Sequence, residues 1–404
     1  MDCVYWNCDG LDMSFHGLVS MGFADALEEA KARAQEAKAP AALEFAGVNM
    51  LVRETGRRGG FAYVFDTGED GEVWAVKAPV AGDDRGAWAV SVSPKSASFV
   101  QHGGPYAVRA RVAEKLLAFG FTPTRCPKSG RFDGCARVDF AADFLVPEGF
   151  VLDPASVASK GSKTAYSEGV ASDGAELHWR GRRVTGCTVG RMPNRQVCIY
   201  DKVADIVAKG KDYWWDAWGL EPGESAKDRP RVWRVELRAG KDFLRDVWKL
   251  GTIDDVLASL GDVMADTLDK IRLVEPIDSN VTRCPDAPLW TAVRRAVMRG
   301  LEGCFTGLAP SRVRETVRGR LDATMRQLLS GIAVTHAAVT LGRADVEGIL
   351  DHIDRVVTDI FGELRAGAEE TRARARKALD RYKLLEISEW ETRMSRPQPD
   401  WLPA

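Results

Sequence analysis

From residue 1 to about 240 the chain repeatedly alternates apolar and polar positions with the period of two that marks a half-buried β-strand. Residues 1–19 alternate in this way. So do LVRET (51–55), GFAYVFDTG (60–68), EVWAVKA (72–78) and AWAVSVSP (87–94), separated by Gly and Asp turns suited to hairpins. Further strands are expected at ARVDFAADF (136–144), AELHWRG (175–181), GCTVG (186–190), QVCIYDK (196–202) and RVWRVELR (231–238). Two stretches carry a helical period instead. Residues 22–45 read as an Ala-rich helix interrupted at Pro40, and residues 105–119 as a helix opened by Pro105 and closed before Gly120. Beyond 242 the strand period disappears and helices dominate, with loops near 279–288 and 306–311. The pattern predicts an α+β protein: an antiparallel sheet domain over residues 1–246, followed by an all-helical C-terminal region over residues 247–404, suited to DNA binding or self-association.

Four of the strands divide cleanly into an apolar side and a side rich in chemistry. Leu11, Met13 and Phe15 oppose Asp12, Ser14 and His16. Val138, Phe140 and Ala142 oppose Arg137, Asp139 and Asp143. Val197 and Ile199 oppose Gln196, Tyr200 and Lys202, and Val235 and Leu237 oppose Arg234, Glu236 and Arg238. Any antiparallel sheet has a solvated face, and a strand tyrosine usually packs against a cross-strand neighbour. Carboxylates, arginines, a tyrosine and a lysine gathered on four such strands point instead to a site.

Composition narrows its chemistry. The 404 residues carry only five histidines and none has metal-site spacing, so a His-built centre is not expected. A carboxylate cluster formed by Asp139, Asp143, Glu236 and Asp12 suits a hard cation, Mg²⁺ or Mn²⁺, which could polarise a phosphate oxygen. A tyrosine beside it could act as a covalent nucleophile if Lys202 or the metal stabilised the phenolate. Arg137, Arg234 and Arg238 would grip flanking phosphates, with Arg191, Lys209 and Lys211 as further DNA contacts. In KGKDYWWDAWG (209–219), Tyr213, Trp214, Trp215 and Trp218 could stack unpaired bases beside Lys209 and Lys211, or form a helix packed on the sheet.

Net charge is −2, so DNA affinity must come from local patches, and residues 283–343 supply one with ten arginines against four acids. The mixed charges after 345 suit a solvated helix or a self-association segment. SKGSKT (159–164) lacks the phosphate-loop pattern, so no ATPase or helicase activity is expected, and strand separation would need a partner helicase. No run of about 18 apolar residues exists to span a membrane, and the N-terminal stretch lacks a secretory pattern. Eight scattered cysteines suit free thiols in a reducing cytoplasm.

In order and spacing, CARVDFAADF, GCTVGRMPNRQVCIYDK and RVWRVELR resemble three blocks of the replication initiation factor family, and GLDMSFHG resembles its first strand. That family comprises rolling-circle plasmid initiators of the staphylococcal type, with related phage initiators and conjugative-element relaxases. The similar span runs from about residue 9 to 246, while the Trp-rich insert between Lys202 and Arg231 and the long helical tail depart from the small plasmid proteins. The resemblance implies that Tyr200 is the nicking tyrosine, forming a 5′-phosphotyrosine and freeing a 3′-hydroxyl for a polymerase. It implies that Asp139, Asp143 and Glu236, with Asp12, supply the metal site, and that Lys202 and Arg234 stabilise phosphate or phenolate. DNA, a host helicase and polymerase, and a second copy in a homodimer are the implied partners. A relaxase of a conjugative or integrative element is the alternative with the same chemistry, and a DNA-binding regulator that has lost catalysis is the alternative without it.

Overall fold

The computed structural model describes residues 1–78, 89–127, 129–159, 176–307, 309, 329–342 and 345–381. Most of SKGSKT, much of the arginine-rich stretch and the end of the mixed-charge tail lie outside the described residues. The chain divides into two compact units, Met1–Gly307 and Leu308–Ala404.

The first unit is built on strands. The first eight are β1 (Asp2–Phe15), the short β2 (Gly17–Leu18), β3 (Ala41–Phe45), β4 (Val48–Val52), β5 (Tyr63–Asp66), β6 (Glu72–Val76), β7 (Val90–Pro94) and β8 (Thr122–Pro123). Then follow β9 (Asp133–Leu145), β10 (Val157–Ser159), β11 (Glu176–Arg180), β12 (Arg183–Gly190), β13 (Arg195–Asp201), β14 (Val232–Gly240) and β15 (Ile271–Leu273). Eleven of them form one sheet in the order β11-β12-β13-β14-β9-β1-β7-β6-β5-β4-β3, while β10 pairs with β15 and β2 with β8. Every pairing in the large sheet is antiparallel. The long strands β1 and β9 lie side by side at its centre, in register from Asp2↔Leu145 to Phe15↔Asp133.

Helices α1 (Met21–Ala37), α2 (Ser96–His102), α3 (Pro105–Ala118), α4 (Lys202–Lys209), α5 (Tyr213–Trp218), α6 (Ile253–Ala258), α7 (Leu260–Lys270) and α8 (Pro288–Gly300) complete this unit. One sheet face is apolar at its centre: Leu11, Val138, Phe140, Val235 and Leu237 are all buried, and α6, α7 and α8 pack against β9, β14 and β1. The ends of these helices are fixed by specific bonds. Thr252 and Asp255 form a capping box on α6, and the Ile253 N–H donates to the Asp133 carboxylate of β9. Towards the other end of the sheet, Phe23 of α1 stacks on Phe119 at 4.2 Å and meets Phe65 edge-on, while Phe119 also meets Trp74.

The architecture is the α+β class that the alternation predicts, an antiparallel sheet followed by helices. Two boundaries differ. The helix expected over 22–45 ends at Ala37, because Lys38 turns left-handed (φ 51°) and Pro40 follows. Residues 41–45 instead form β3 of a hairpin whose two-residue turn, Ala46–Gly47, has both φ values positive, as a type I′ turn requires. The boundary expected at 246 falls inside the first unit, because α6–α8 supply the apolar cover of the sheet. The described residues of the second unit are mostly helical, residues 329–341, Val346–Ala366 and Ala368–Arg381 forming helices. Among the described residues no helix is long and apolar enough to cross a membrane, and no disulfide joins any of the eight cysteines.

Candidate functional site

The face of the sheet opposite α6–α8 carries the polar side chains, and the register sets them in rows, because directly paired antiparallel residues share a face. The first row reads Tyr200–Arg234–Asp143–Tyr5, the second Cys198–Glu236–Ala141–Asn7 and the third Gln196–Arg238–Asp139–Gly10. Asp12 pairs with Arg137 one step further along the same face. Glycines open space in this array. A Cβ at Gly10 would come within 2.7 Å of the Asp139 Oδ2, and one at Gly186, which pairs with Tyr200, within 3.0 Å of the tyrosine's own Cβ.

The middle of the first row is sealed, while Tyr5 and Tyr200 at its ends are half-buried. Arg234 and Asp143 have no solvent exposure. The guanidinium donates from Nε to Asp143 Oδ1 (2.6 Å) and from Nη2 to Oδ2 (2.8 Å), and from Nη1 to Asp9 Oδ1 (3.0 Å). Trp218 Nε1–H donates to the same Asp143 Oδ2 at 2.8 Å. The Trp214 ring lies 4.2 Å from the Arg234 Cζ. Trp214, Trp215 and Trp218 are buried with Ile206 and Val232, so α5 lies over the sheet as a lid. Of the two readings of the Trp-rich insert, the structure has the packed helix; these indoles are not open to bases. Burial alone would lower the Arg234 pKa, but Asp143 and Asp9 outweigh it and hold the guanidinium charged. Burial likewise works against ionised Asp9, yet Arg234 and Lys202 hold its carboxyl below the usual range.

This geometry corrects several expectations. Arg234 spends its donors inside the protein and cannot reach a DNA phosphate. Asp143 has both oxygens engaged by Arg234 and Trp218, leaving it a structural counter-ion rather than a cation ligand. Asp9, not Asp12, joins this cluster. A bulge between Cys8 and Gly10 inserts Asp9 as an extra residue in β1, which re-aims its side chain. Simple alternation missed it, though the Gly that follows Asp9 is a bulge signal within a strand pattern. Lys202 is not on the strand. It opens α4, capped by Asp201, whose side chain accepts from the Ala204 N–H. Its Nζ still lies 5.6 Å from the Tyr200 ring centroid and 4.8 Å from that of Trp214, with Asp205 at 3.1 Å. Burial, reinforced by Arg234, lowers its pKa.

The other rows are open at one end. Arg137 Nε donates to Asp139 Oδ1 at 2.8 Å, and its Nη2 lies 2.5 Å from Asp139 Oδ2 and 3.8 Å from Glu236 Oε1. Arg238 donates to Glu236 Oε1 (2.8 Å) and to Gln196 Oε1 (3.0 Å). The carboxylates are buried, but the Arg137 and Arg238 side chains keep 33% and 26% exposure, so they form the outer surface of the cluster. Tyr200 Oη donates to Glu236 Oε2 at 3.5 Å. Burial pushes the Tyr200 phenol well above its ordinary range, Arg234 opposing and Glu236 adding to the shift. Burial also pushes Asp139 up to about 7, with the Arg137 hydrogen bond offsetting part of it and the Glu236 charge adding to it.

Among the described residues no group of three or more His, Cys, Asp and Glu side chains is arranged to hold a metal by itself. Mg²⁺ is often held by only one or two carboxylates together with substrate phosphates; Asp139 and Glu236 are the two carboxylates of the open rows, and Arg137, which engages both oxygens of Asp139, would have to release it to a cation. Of the remaining expected DNA contacts, Arg191 is exposed beyond β12, while Lys209 pairs with Asp205 at 2.6 Å and keeps 58% side-chain exposure. Lys211 follows α4 and is half-buried.

No protein-family model matches the chain, and no curated protein does. Among solved structures it is similar to the rolling circle replication initiator protein from Geobacillus stearothermophilus, at 16% identity and a TM-score of 0.38, over 73% of this chain and 96% of that one. What this sheet face can do is decided by its own residues.

Proposed function

We propose that the chain is a DNA-nicking and joining protein that initiates rolling-circle replication in the cytoplasm, with Tyr200 as its nucleophile. The observation that carries this reading is the Tyr200 phenol set 3.5 Å from Glu236, in a carboxylate–arginine cluster whose outer surface is Arg137 and Arg238.

The raised phenol pKa means that Tyr200 needs a base as it reacts, and Glu236 is within reach of that proton. The phenol oxygen attacks a backbone phosphorus and the phenolic proton passes to Glu236. The bond to the 3′-oxygen breaks and that oxygen takes a proton from water, leaving a 5′-phosphotyrosine and a free 3′-hydroxyl that a host polymerase can extend. Arg137 and Arg238 hold the phosphate oxygens while charge develops. Asp139 and Glu236 would hold Mg²⁺ or Mn²⁺, which when bound polarises a phosphate oxygen. Lys202 sits on the edge of the Tyr200 ring as a positioning cation. Attack by a 3′-hydroxyl on the phosphotyrosine rejoins the strand. Strand separation falls to a partner helicase, and the same chemistry would serve a relaxase.

A second reading is a DNA-binding regulator without catalysis. Arg137 bridging both carboxylates and a phenol far from ionisation favour it. The two separate in an assay of supercoiled plasmid carrying the gene's own region, with Mn²⁺ or EDTA, using wild-type protein and Tyr200→Phe. A metal-dependent nick with protein covalently attached, absent in Tyr200→Phe, is expected. Nicking that survives Tyr200→Phe overturns the nucleophile, and binding with no nick selects the regulator.

A further inference from the structure

The opposite sheet face holds a second basic feature. Between the start of β1 and α8 lies a cleft of about 320 Å³, lined by Asp2, Trp6, Ala292, Arg295, Ala296 and Arg299 among others. Trp6 pairs with Ala142, so it projects away from the Asp139 face, and it is 41% exposed. An indole of that size left open in a cleft is unusual for a side chain that normally buries its rings. Its inner edge is seated on Gly300, where a Cβ would come 2.2 Å from the Trp6 Cδ1.

Arg295 and Arg299 are one helical turn apart on α8, and both are exposed. Among the described residues no carboxylate lies within ion-pair distance of either. Arg294, on the same helix, differs: it is buried and reaches Asp286 at 2.7 Å and Asp269 at 2.8 Å. The helix therefore spends one arginine on structure and leaves two free. Ala292 and Ala296, also one turn apart, line the cleft without filling it.

An open indole, a small-residue floor and two unpaired guanidinia one turn apart match the parts of a single nucleotide: a base to stack and phosphates to grip. We propose that this cleft binds single-stranded DNA, with a base on Trp6 and backbone phosphates on Arg295 and Arg299, on the sheet face opposite Tyr200. The proposal rests on the replication reading only for DNA as the ligand. It would hold one strand on the far side of the sheet from the site of cleavage.

The test is fluorescence anisotropy with a short labelled oligothymidylate over a range of salt, using the full-length chain. Trp6→Ala should weaken binding about tenfold, while Trp6→Phe stays near wild type, because a base–aromatic stack is worth about 1–3 kcal/mol. Arg295→Gln with Arg299→Gln should weaken binding and reduce the salt slope by about 1.4, at about 0.7 per phosphate contact on a single strand. All three side chains are at the surface, and a melting curve on each variant confirms folding. Unchanged affinity and slope overturn the proposal. So does an equal loss for duplex DNA, which would mean backbone contact without stacking, and so does a loss confined to a protein partner. Running the series on a Tyr200→Phe background separates the two ideas. Cleft-dependent binding without nicking in the wild type leaves the cleft and removes the nuclease, and nicking with cleft-independent binding does the reverse.

Discussion

Two acid–arginine clusters lie two to four residues apart along the same strands of the same sheet face, yet they are chemically different objects. Arg234 and Asp143, which have no solvent exposure, and the nearly covered Asp9 form a pair-and-a-half of charge closed by the Trp218 N–H and the Trp214 ring. Arg137, Asp139, Glu236 and Arg238 form a network of similar make-up whose arginines face outward. The strands contribute alike to both; α5 covers one and leaves the other open. A buried charge network is costly to disturb and chemically silent, whereas a half-open one can exchange its internal partners for a ligand's. The lid, rather than the composition of the face, separates scaffold from site.

The largest effect should come from breaking the sealed side. Arg234→Ala strands two carboxylates without a partner, and urea denaturation should report a loss of about 3–5 kcal/mol. Trp218→Phe keeps the ring but removes the donor to Asp143, at about 1–3 kcal/mol for an acceptor left short in a buried site. On the open side, pH is the sharper probe. Asp139 has its folded pKa raised to about 7, above its value in the unfolded chain. Its contribution to stability is therefore fully present only below about pH 4 and is lost as pH rises through 7. In EDTA, stability should fall between about pH 4 and 7 with a slope of at most about 1.4 kcal/mol per pH unit, and Asp139→Asn should flatten it. A slope unchanged in Asp139→Asn would mean the group responsible lies elsewhere. Smallest of all, Arg238→Ala should cost about 1 kcal/mol or less, since its guanidinium is partly solvated. A cost as large as that of Arg234→Ala would erase the distinction between the two clusters.

The sequence made the faces legible and the depth illegible. Alternation on β9, β13 and β14 assigns Arg137, Asp139, Asp143, Tyr200, Arg234, Glu236 and Arg238 to one side of the sheet, and the register keeps them there. Period two cannot say whether that side is covered, so Arg234 and Asp143 looked as available as Arg238 and Asp139. Nor can it anticipate an inserted residue: the bulge that turns Asp9 inward sets Cys8 and Gly10, which a regular strand would place on one face, on opposite faces. The alternating row of Gln196, Cys198 and Tyr200 runs on to Lys202 in the sequence, but Asp201 caps a helix that starts there and takes Lys202 off the strand. The indole that would have warned of the lid is 75 residues from Asp143 in sequence, a distance local patterns do not bridge.

Tyr200 is hydrogen-bonded into the ladder between Gly186 on β12 and Arg234 on β14, and the next residue, Asp201, caps a helix. Its backbone thus has neither the slack of a loop nor the freedom of a strand end. A side chain mounted this way cannot travel to meet a distant partner; it turns only about its own χ angles. Whatever reacts with it must do the moving, threading itself down onto a fixed post.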